Sequence, residues 1–226
     1  MYLSRISLSP EAADDVRFGG VFDSPYQLHQ EIWTLFSDDP NRRRDFLYRL
    51  DQDGRSDRRL PRVFSLSRRA PRPLPGVWQV ETREFHPAFE VGNRLRFVLR
   101  ANPVVARSGS RHDVVTDAIR KLKEQAVPRR AWPSPEQIVR SACIEWLARR
   151  AETNGFALSA GEVQVERHEV QSFTKPDGWP VRLAVCDFEG VLRVTEREPF
   201  LAALRTGIGP AKGFGNGLLL CGREAA

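Results

Sequence analysis

Two passes of strand, helix and several strands predict an α+β chain of two tandem ferredoxin-like domains. Two observations carry that reading. The chain opens on an alternating strand, and each half carries a capped helix. Each helix is then followed by short β-like runs separated by polar, Pro- or Gly-containing breaks. A length of 226 residues leaves room for two units of roughly 100 residues each.

In the first half, Tyr2, Ser4, Ile6 and Leu8 alternate with Leu3, Arg5 and Ser7 as a strand. Ser24-Pro25 opens a helix, since Ser24 caps the first free amides and Pro25 suits the first helical position. Leu28, Ile32 and Leu35 or Phe36 recur along it at helical spacing until the pattern breaks around Pro40. Runs at 46–50, 62–66 and 77–82 read as strands, with loops at 51–59 and 68–76 between them. A further strand at 94–100 sets Leu95, Phe97 and Leu99 on one face against Arg94, Arg96, Val98 and Arg100 on the other. No second helix is evident in this half, which makes it the poorer match to the fold.

The segment 102–130 turns polar and basic and reads as a linker or a loop that orders on binding. Ser134-Pro135-Glu136-Gln137 then starts the clearest helix, with Ser134 as cap and Gln137 completing a capping box. Asn154-Gly155 ends it. Strands follow at 156–158, 163–173, 181–188 and 191–194, with a turn at Lys175-Pro176-Asp177-Gly178. A short helix at 198–205 leads into a glycine-rich loop and a last strand at 217–221. The expected division is therefore 1–103, a basic connection over 104–131, and 132–226.

Composition narrows the function classes. Lys and Arg total 35 against 29 Asp and Glu, a formal net charge of +6 that favours a polyanionic partner. Cys143, Cys186 and Cys221 are scattered and lack metal-ligand spacing, so they read as buried thiols. The N-terminus lacks the continuous apolar stretch of a signal peptide, and no apolar run approaches the ~20 residues that span a bilayer. A cytoplasmic protein with no membrane partner is expected.

The strongest local feature is the stretch 207–217, with Gly207, Gly209, Gly213, Gly215 and Gly217 around Lys212. Such a loop lets backbone amides approach an anion. It is neither a P-loop nor a dinucleotide fingerprint, because it follows a helix and enters a terminal strand. The apolar residues Leu204, Leu218, Leu219 and Leu220 bracket it, which argues for a structured loop rather than a loose tail.

The second feature is Tyr26-Gln27-Leu28-His29, which puts a phenol and an imidazole on neighbouring parts of one helical face. A His titrating near neutrality could move protons in phosphodiester cleavage without a metal or cofactor. RNA would bring its own nucleophile, the 2′-OH. The competing reading is a structural His satisfied by a backbone carbonyl. His86, His112 and His168 carry weaker signals, and no spacing suggests a metal site. Basic residues group at Arg42, Arg43 and Arg44; at Arg107, Arg111, Lys121, Lys123, Arg129 and Arg130; and at Arg167, Lys175 and Arg182 around a hairpin.

Taken in order, Tyr-x-x-His at 26–29, Phe-His-Pro-Ala-Phe at 85–89, Leu-Arg-Phe-Val-Leu-Arg-Ala-Asn-Pro at 95–103 and the loop at 207–217 resemble the CasE (Cse3) endoribonucleases of type I-E CRISPR systems. The resemblance runs from the first strand to the last and thins over 51–76 and 108–131. It implies two RRM-like domains and metal-independent cutting of CRISPR precursor RNA at the base of the repeat stem-loop. The products would be a cyclic phosphate and a 5′-hydroxyl, with the mature guide RNA retained within the Cascade effector complex. By the same resemblance His29 is the catalytic His, Tyr26 its helper, and Lys212 with the glycine loop lies against RNA. The stem-gripping hairpin of relatives matches the stretch holding Arg167, Lys175 and Arg182. That stretch departs from the pattern, with Gln171, Ser172 and Phe173 where adjacent basic residues would stand. The alternative is a non-catalytic RNA-binding subunit of the effector complex.

Overall fold

A computed structural model describes residues 1–18, 20–36, 43–51 and 61–224. The expected break around Pro40, the basic position Arg42 and all of the expected loop 51–59 except Asp51 lie outside the described residues.

The first layer contains β1 (Tyr2–Leu8), a short α1 (Pro10–Ala13), α2 (Pro25–Thr34), β2 (Phe46–Asp51), β3 (Arg62–Ser67) and β4 (Trp78–Glu84). Its antiparallel sheet runs β2-β3-β1-β4, with Ile6 opposite both Val63 and Val80. This is the ferredoxin-like strand order with one helix absent. Between β3 and β4, where that helix would stand, the chain forms a loop in which Leu74 bridges Trp78. Ser24 starts α2 as its sequence requires, its Oγ accepting a hydrogen bond from Gln27 N at 3.3 Å. The helix buries Leu28 and Ile32 against Ile6, Phe46, Tyr48 and Val63 of the sheet.

The second layer is built from β5 (Arg94–Ala101), β6 (Val104–Arg107), β7 (Ser110–Asp113), α3 (Val114–Glu124), α4 (Pro135–Thr153), β8 (Phe156–Thr174), β9 (Pro180–Val194), α5 (Arg197–Thr206) and β10 (Leu219–Arg223). Its sheet order, β10-β5-β9-β8, is that of a complete ferredoxin-like unit. The capping box of α4 forms as predicted, with Ser134 and Gln137 bonding reciprocally. β8 and β9 continue beyond the other strands as a long hairpin, Phe173 opposite Val181.

Two expectations are corrected here. The strand at 94–101 belongs to the second sheet, where Leu95 faces Leu192 and Leu99 faces both Phe188 and Leu219. Sheet membership therefore puts the break between the layers in the segment 85–93 rather than at 103. The alternation of β5 is real, but alternation says nothing about which sheet a strand joins. The stretch 104–131 is a hairpin, a helix and a short 3₁₀ turn rather than a linker. Asp113 caps α3 at Val115 N and Thr116 N, and Val114 and Val115 enter the core. Charged residues on the outer face of α3 mask this in the composition.

A third apolar cluster joins the layers. Leu47 and Leu66 of the first sheet meet Leu218, with Leu3, Phe64 and Leu220 packed around them. The Arg49 guanidinium lies 3.6 Å from the Asp187 carboxylate across the same junction. This contact sets the glycine-rich loop against β2 and α2.

Candidate active site at the domain junction

His29 sits on the second turn of α2, facing out of the first core but not into open solvent. Its ring lies 5.7 Å from Trp33, 6.4 Å from Tyr48 and 6.0 Å from Phe214 between centroids, the Tyr48 ring nearly parallel to it. Its Nδ1 is buried and bonds to no described residue, which leaves Nε2 as the nitrogen open to chemistry. Burial holds the imidazole below its ordinary titration range, and the positive charge of Arg44 adds to the effect.

The glycine-rich loop reaches this histidine from the second layer. Residues Lys212–Phe214 form a 3₁₀ turn, and Gly213 approaches His29 so closely that a Cβ there would stand 3.8 Å from Cε1. The Tyr48 hydroxyl, itself buried, donates to Gly213 O at 2.9 Å and ties the turn to β2. Further along, Gly217 N donates to Arg100 O at 2.7 Å, and Ile208 N donates to Gly217 O at 2.9 Å. Gly207 has φ +77°, and a Cβ on it would meet Gly217 O at 2.9 Å and the Leu47 methyls at 3.0 Å. Gly209 packs on Trp146 and Gly215 on Tyr48, so most of the five glycines shape the loop itself. Gly213 is the one brought to His29.

Lys212 is half-buried, and desolvation holds its ammonium below the usual lysine range. The charges of Arg44 and Arg150 push in the same direction. Tyr26 lies one turn before His29 and accepts a hydrogen bond from Gln30 Nε2 at 3.0 Å. A cleft of about 270 Å³ opens alongside, between Pro25 and Leu28 of α2, Tyr48 of β2, and Gln171 with Phe214 of the second layer.

The residues expected on the hairpin do not share one surface. Arg167 pairs in register with Asp187 and turns toward the inter-sheet face, where its Nη1 is 3.8 Å from Glu169. Arg182 pairs with Ser172 on the opposite face and is exposed. Lys175 begins the tip, its N–H donating to Trp179 O at 3.1 Å. Phe173 links the hairpin to the site through a 5.0 Å ring contact with Phe214. Sequence reasoning did not single out Trp33, Tyr48, Phe173 or Phe214. Trp33 stands one turn from His29 on the same helix but carries no motif, and nothing local marks Tyr48, Phe173 and Phe214, whose partners lie far away in the chain. Among the described residues no three His, Cys, Asp or Glu side chains gather as a metal site.

Arranged this way, an imidazole with a lowered pKa and one open nitrogen lies against the turn that carries Lys212, with a cleft alongside. A general base beside a cation is the apparatus that transesterification of a phosphodiester requires.

The model of a family described as CRISPR associated protein matches residues 1–223. The Cascade subunit CasE of Escherichia coli is 29% identical over 97% of this chain and 98% of its own length. The CRISPR-associated endoribonuclease Cse3 of Thermus thermophilus is 35% identical over 61% of this chain and 59% of its own length. A structure of Thermus thermophilus Cse3 bound to an RNA representing a pre-cleavage complex superposes with a TM-score of 0.75 at 27% identity, covering 98% of each chain. The resemblance of the four motifs, the paired ferredoxin-like sheets and these matches agree: the chain belongs to the CRISPR-associated CasE (Cse3) family of type I-E systems.

Proposed function

We propose that this chain is a metal-independent endoribonuclease that cuts CRISPR precursor RNA at the base of the repeat stem-loop and keeps the mature guide RNA. The observation that carries the reading is His29, half-buried among three aromatic rings with its pKa held low and Gly213, next to Lys212 in the glycine-rich turn, brought against it.

A histidine with a depressed pKa is neutral at pH 7 and suits the role of base. His29 Nε2 takes the proton of the 2′-OH as that oxygen attacks the adjacent phosphorus. The P–O5′ bond breaks, the departing oxygen leaves as a 5′-hydroxyl after gaining a proton, and the upstream fragment ends in a 2′,3′-cyclic phosphate. Tyr26 orients the 2′-OH, and Lys212 offsets the charge that builds on the non-bridging oxygens. General base action supplies about 10²–10⁴-fold, and in-line positioning of the RNA in the junction cleft must supply much of the rest. Arg182 on its exposed face and Lys175 at the tip hold the stem by its backbone, while Arg167, on the opposite face of the hairpin, can reach RNA only along the inter-sheet side.

The chain acts in the cytoplasm, where precursor RNA is made, and stays with its product as a subunit of the Cascade complex, as the name of its Escherichia coli relative implies. The described residues contain no helix long and apolar enough to cross a membrane.

The test is cleavage of a labelled cognate repeat RNA in excess EDTA by the native chain and by His29→Ala. One cut by the native chain, ending in a cyclic phosphate and lost in the variant, is expected. Tight binding of the hairpin by both proteins with no cut by either would leave an RNA-binding subunit instead.

A further inference from the structure

The cleft beside α2 has a chemistry that His29, Tyr26 and Lys212 do not account for. Its volume of about 270 Å³ falls just under the range of about 300–1,000 Å³ that holds drug-sized ligands, so it suits one ring system rather than a length of chain. Its walls are apolar and largely aromatic, with Phe22, Pro25, Leu28 and Tyr48 from the first layer and Phe214 from the glycine-rich turn. Its polar edge comes from Asp23 and from Glu169 and Gln171 of β8.

That edge accepts hydrogen bonds more than it donates them. Arg100 is the only cation among the described residues that line the cleft; it is buried, and its Nη2 donates to Glu169 Oε1 at 2.8 Å. Gln171 donates its Nε2 to the same oxygen at 2.8 Å, which leaves its amide oxygen to accept. Asp23 is exposed and has no ion pair among the described residues. Two carboxylates against one guanidinium disfavour a phosphate and favour a neutral ring that carries N–H donors. The cleft is also joined to the candidate catalytic group. Phe214 lies 6.0 Å from His29 between ring centres and 5.0 Å from Phe173, which shares one face of β8 with Glu169 and Gln171. Gln171 and Phe173 belong to the stretch where adjacent basic residues were expected, and here that stretch faces the site instead.

We propose that this cleft seats a single unpaired nucleobase, that of the nucleotide across the cut from the stem, and favours a base with an exocyclic amine. The proposal deepens the nuclease reading and rests on it for the identity of the RNA. An unpaired base leaves its stack with the least loss, and it can then lie against aromatic side chains and be read along its edge. Adenine, guanine and cytosine offer an amine to Gln171 Oε1 or to Asp23, where uracil offers only carbonyls and one ring N–H. With the base against Phe214, the attached sugar and phosphate lie toward His29 and Lys212. The cleft thereby selects which bond is presented to the imidazole.

The test measures affinity on an RNA that cannot be cut. The cognate repeat carries a 2′-deoxy sugar at the nucleotide that supplies the nucleophile, and the position across the cut holds adenine, guanine, cytosine, uracil or no base. The native chain should bind the amine-bearing RNAs about 5- to 100-fold more tightly than the abasic one. It should prefer them about 2- to 10-fold over uracil. Asp23→Ala combined with Gln171→Leu should bring the preference over uracil to within about twofold of unity while binding abasic RNA as the native chain does. Phe214→Leu, which keeps an apolar side chain in the turn, should shrink the preference over the abasic RNA. A native chain indifferent to the base, or one that takes uracil as well as the others, overturns the proposal. So does discrimination that survives these variants unchanged, or variants that weaken all five RNAs alike. The nuclease reading fails separately. Cleavage of the all-ribose repeat in EDTA with no dependence on this base would leave that reading standing and remove the seat, and base-dependent affinity without cleavage would do the reverse.

Discussion

His29 and Tyr48 are coupled in a way that makes two single-residue predictions definite. Burial lowers the pKa of His29 in the folded protein relative to the unfolded chain. The unfolded state therefore binds more protons in the window just below the ordinary His pKa of about 6.5, and stability falls as pH drops through that window. Cleavage, if His29 is the base, rises with pH through its depressed pKa and is flat by pH 7. Single-turnover rates and urea midpoints measured from pH 5 to pH 8 should show both slopes, and His29→Ala should lose the first entirely. Tyr48→Phe removes the hydroxyl bond to Gly213 O while leaving the ring against His29. A cost of about 1–3 kcal/mol is expected if that carbonyl is left without a partner. The turn carrying Lys212 should loosen, so cleavage should fall by more than RNA affinity does. Equal losses in rate and affinity would show that the bond does not hold the site. The position of His29 on its helix was legible in the sequence because Ser24, Pro25 and the Leu28–Ile32 spacing are all local signals. The role of Tyr48 was not, because its partner lies 165 residues away.

At the level of elements, the glycine-rich loop behaves as a scaffold whose shape depends on particular glycines. Gly207→Ala would place a Cβ against Gly217 O and Leu47 in a backbone conformation that L-residues rarely adopt, at a cost of about 1–3 kcal/mol. Gly222→Ala, with nothing within 4 Å of the new Cβ, is the matched control and should be neutral. Thermal melts of the two variants separate a structured loop from a loose one, since a loose loop would tolerate both. Helix caps and strand alternation exposed α2, α4 and most strands in the sequence, because these patterns are written within one turn or one pleat. The sheet to which β5 belongs was hidden, because its partners β9 and β10 come from the far end of the chain. α3 was hidden for a different reason: Arg120, Lys121, Lys123 and Glu124 crowd its second half and give the segment a charged composition, although Val114, Val115, Ala118, Ile119 and Leu122 fix its inner face. The hairpin of β8 and β9 was visible, but the placement of Arg167 and Arg182 on opposite faces was not, because it depends on the pairing register, which sets Arg182 opposite Ser172, an odd number of residues from Arg167.

Across the whole molecule, the two layers are held by a small apolar cluster and few ions, with Leu218 fully enclosed between Leu47 and Leu66. Leu218→Ala should cost about 2–5 kcal/mol. If the layers unfold as one unit, a single denaturation transition should simply move to lower urea. Two separated transitions would mean that the layers fold independently and that the cluster only docks them. The site itself is divided between those layers: its histidine comes from near one end of the chain and its lysine turn from near the other. During synthesis the first layer can form long before Gly213 and Lys212 leave the ribosome, yet until they do His29 lacks the turn that faces it. A nascent chain would hold a folded but silent first half, and the ability to cut RNA would arrive only once the glycine-rich turn had emerged and docked.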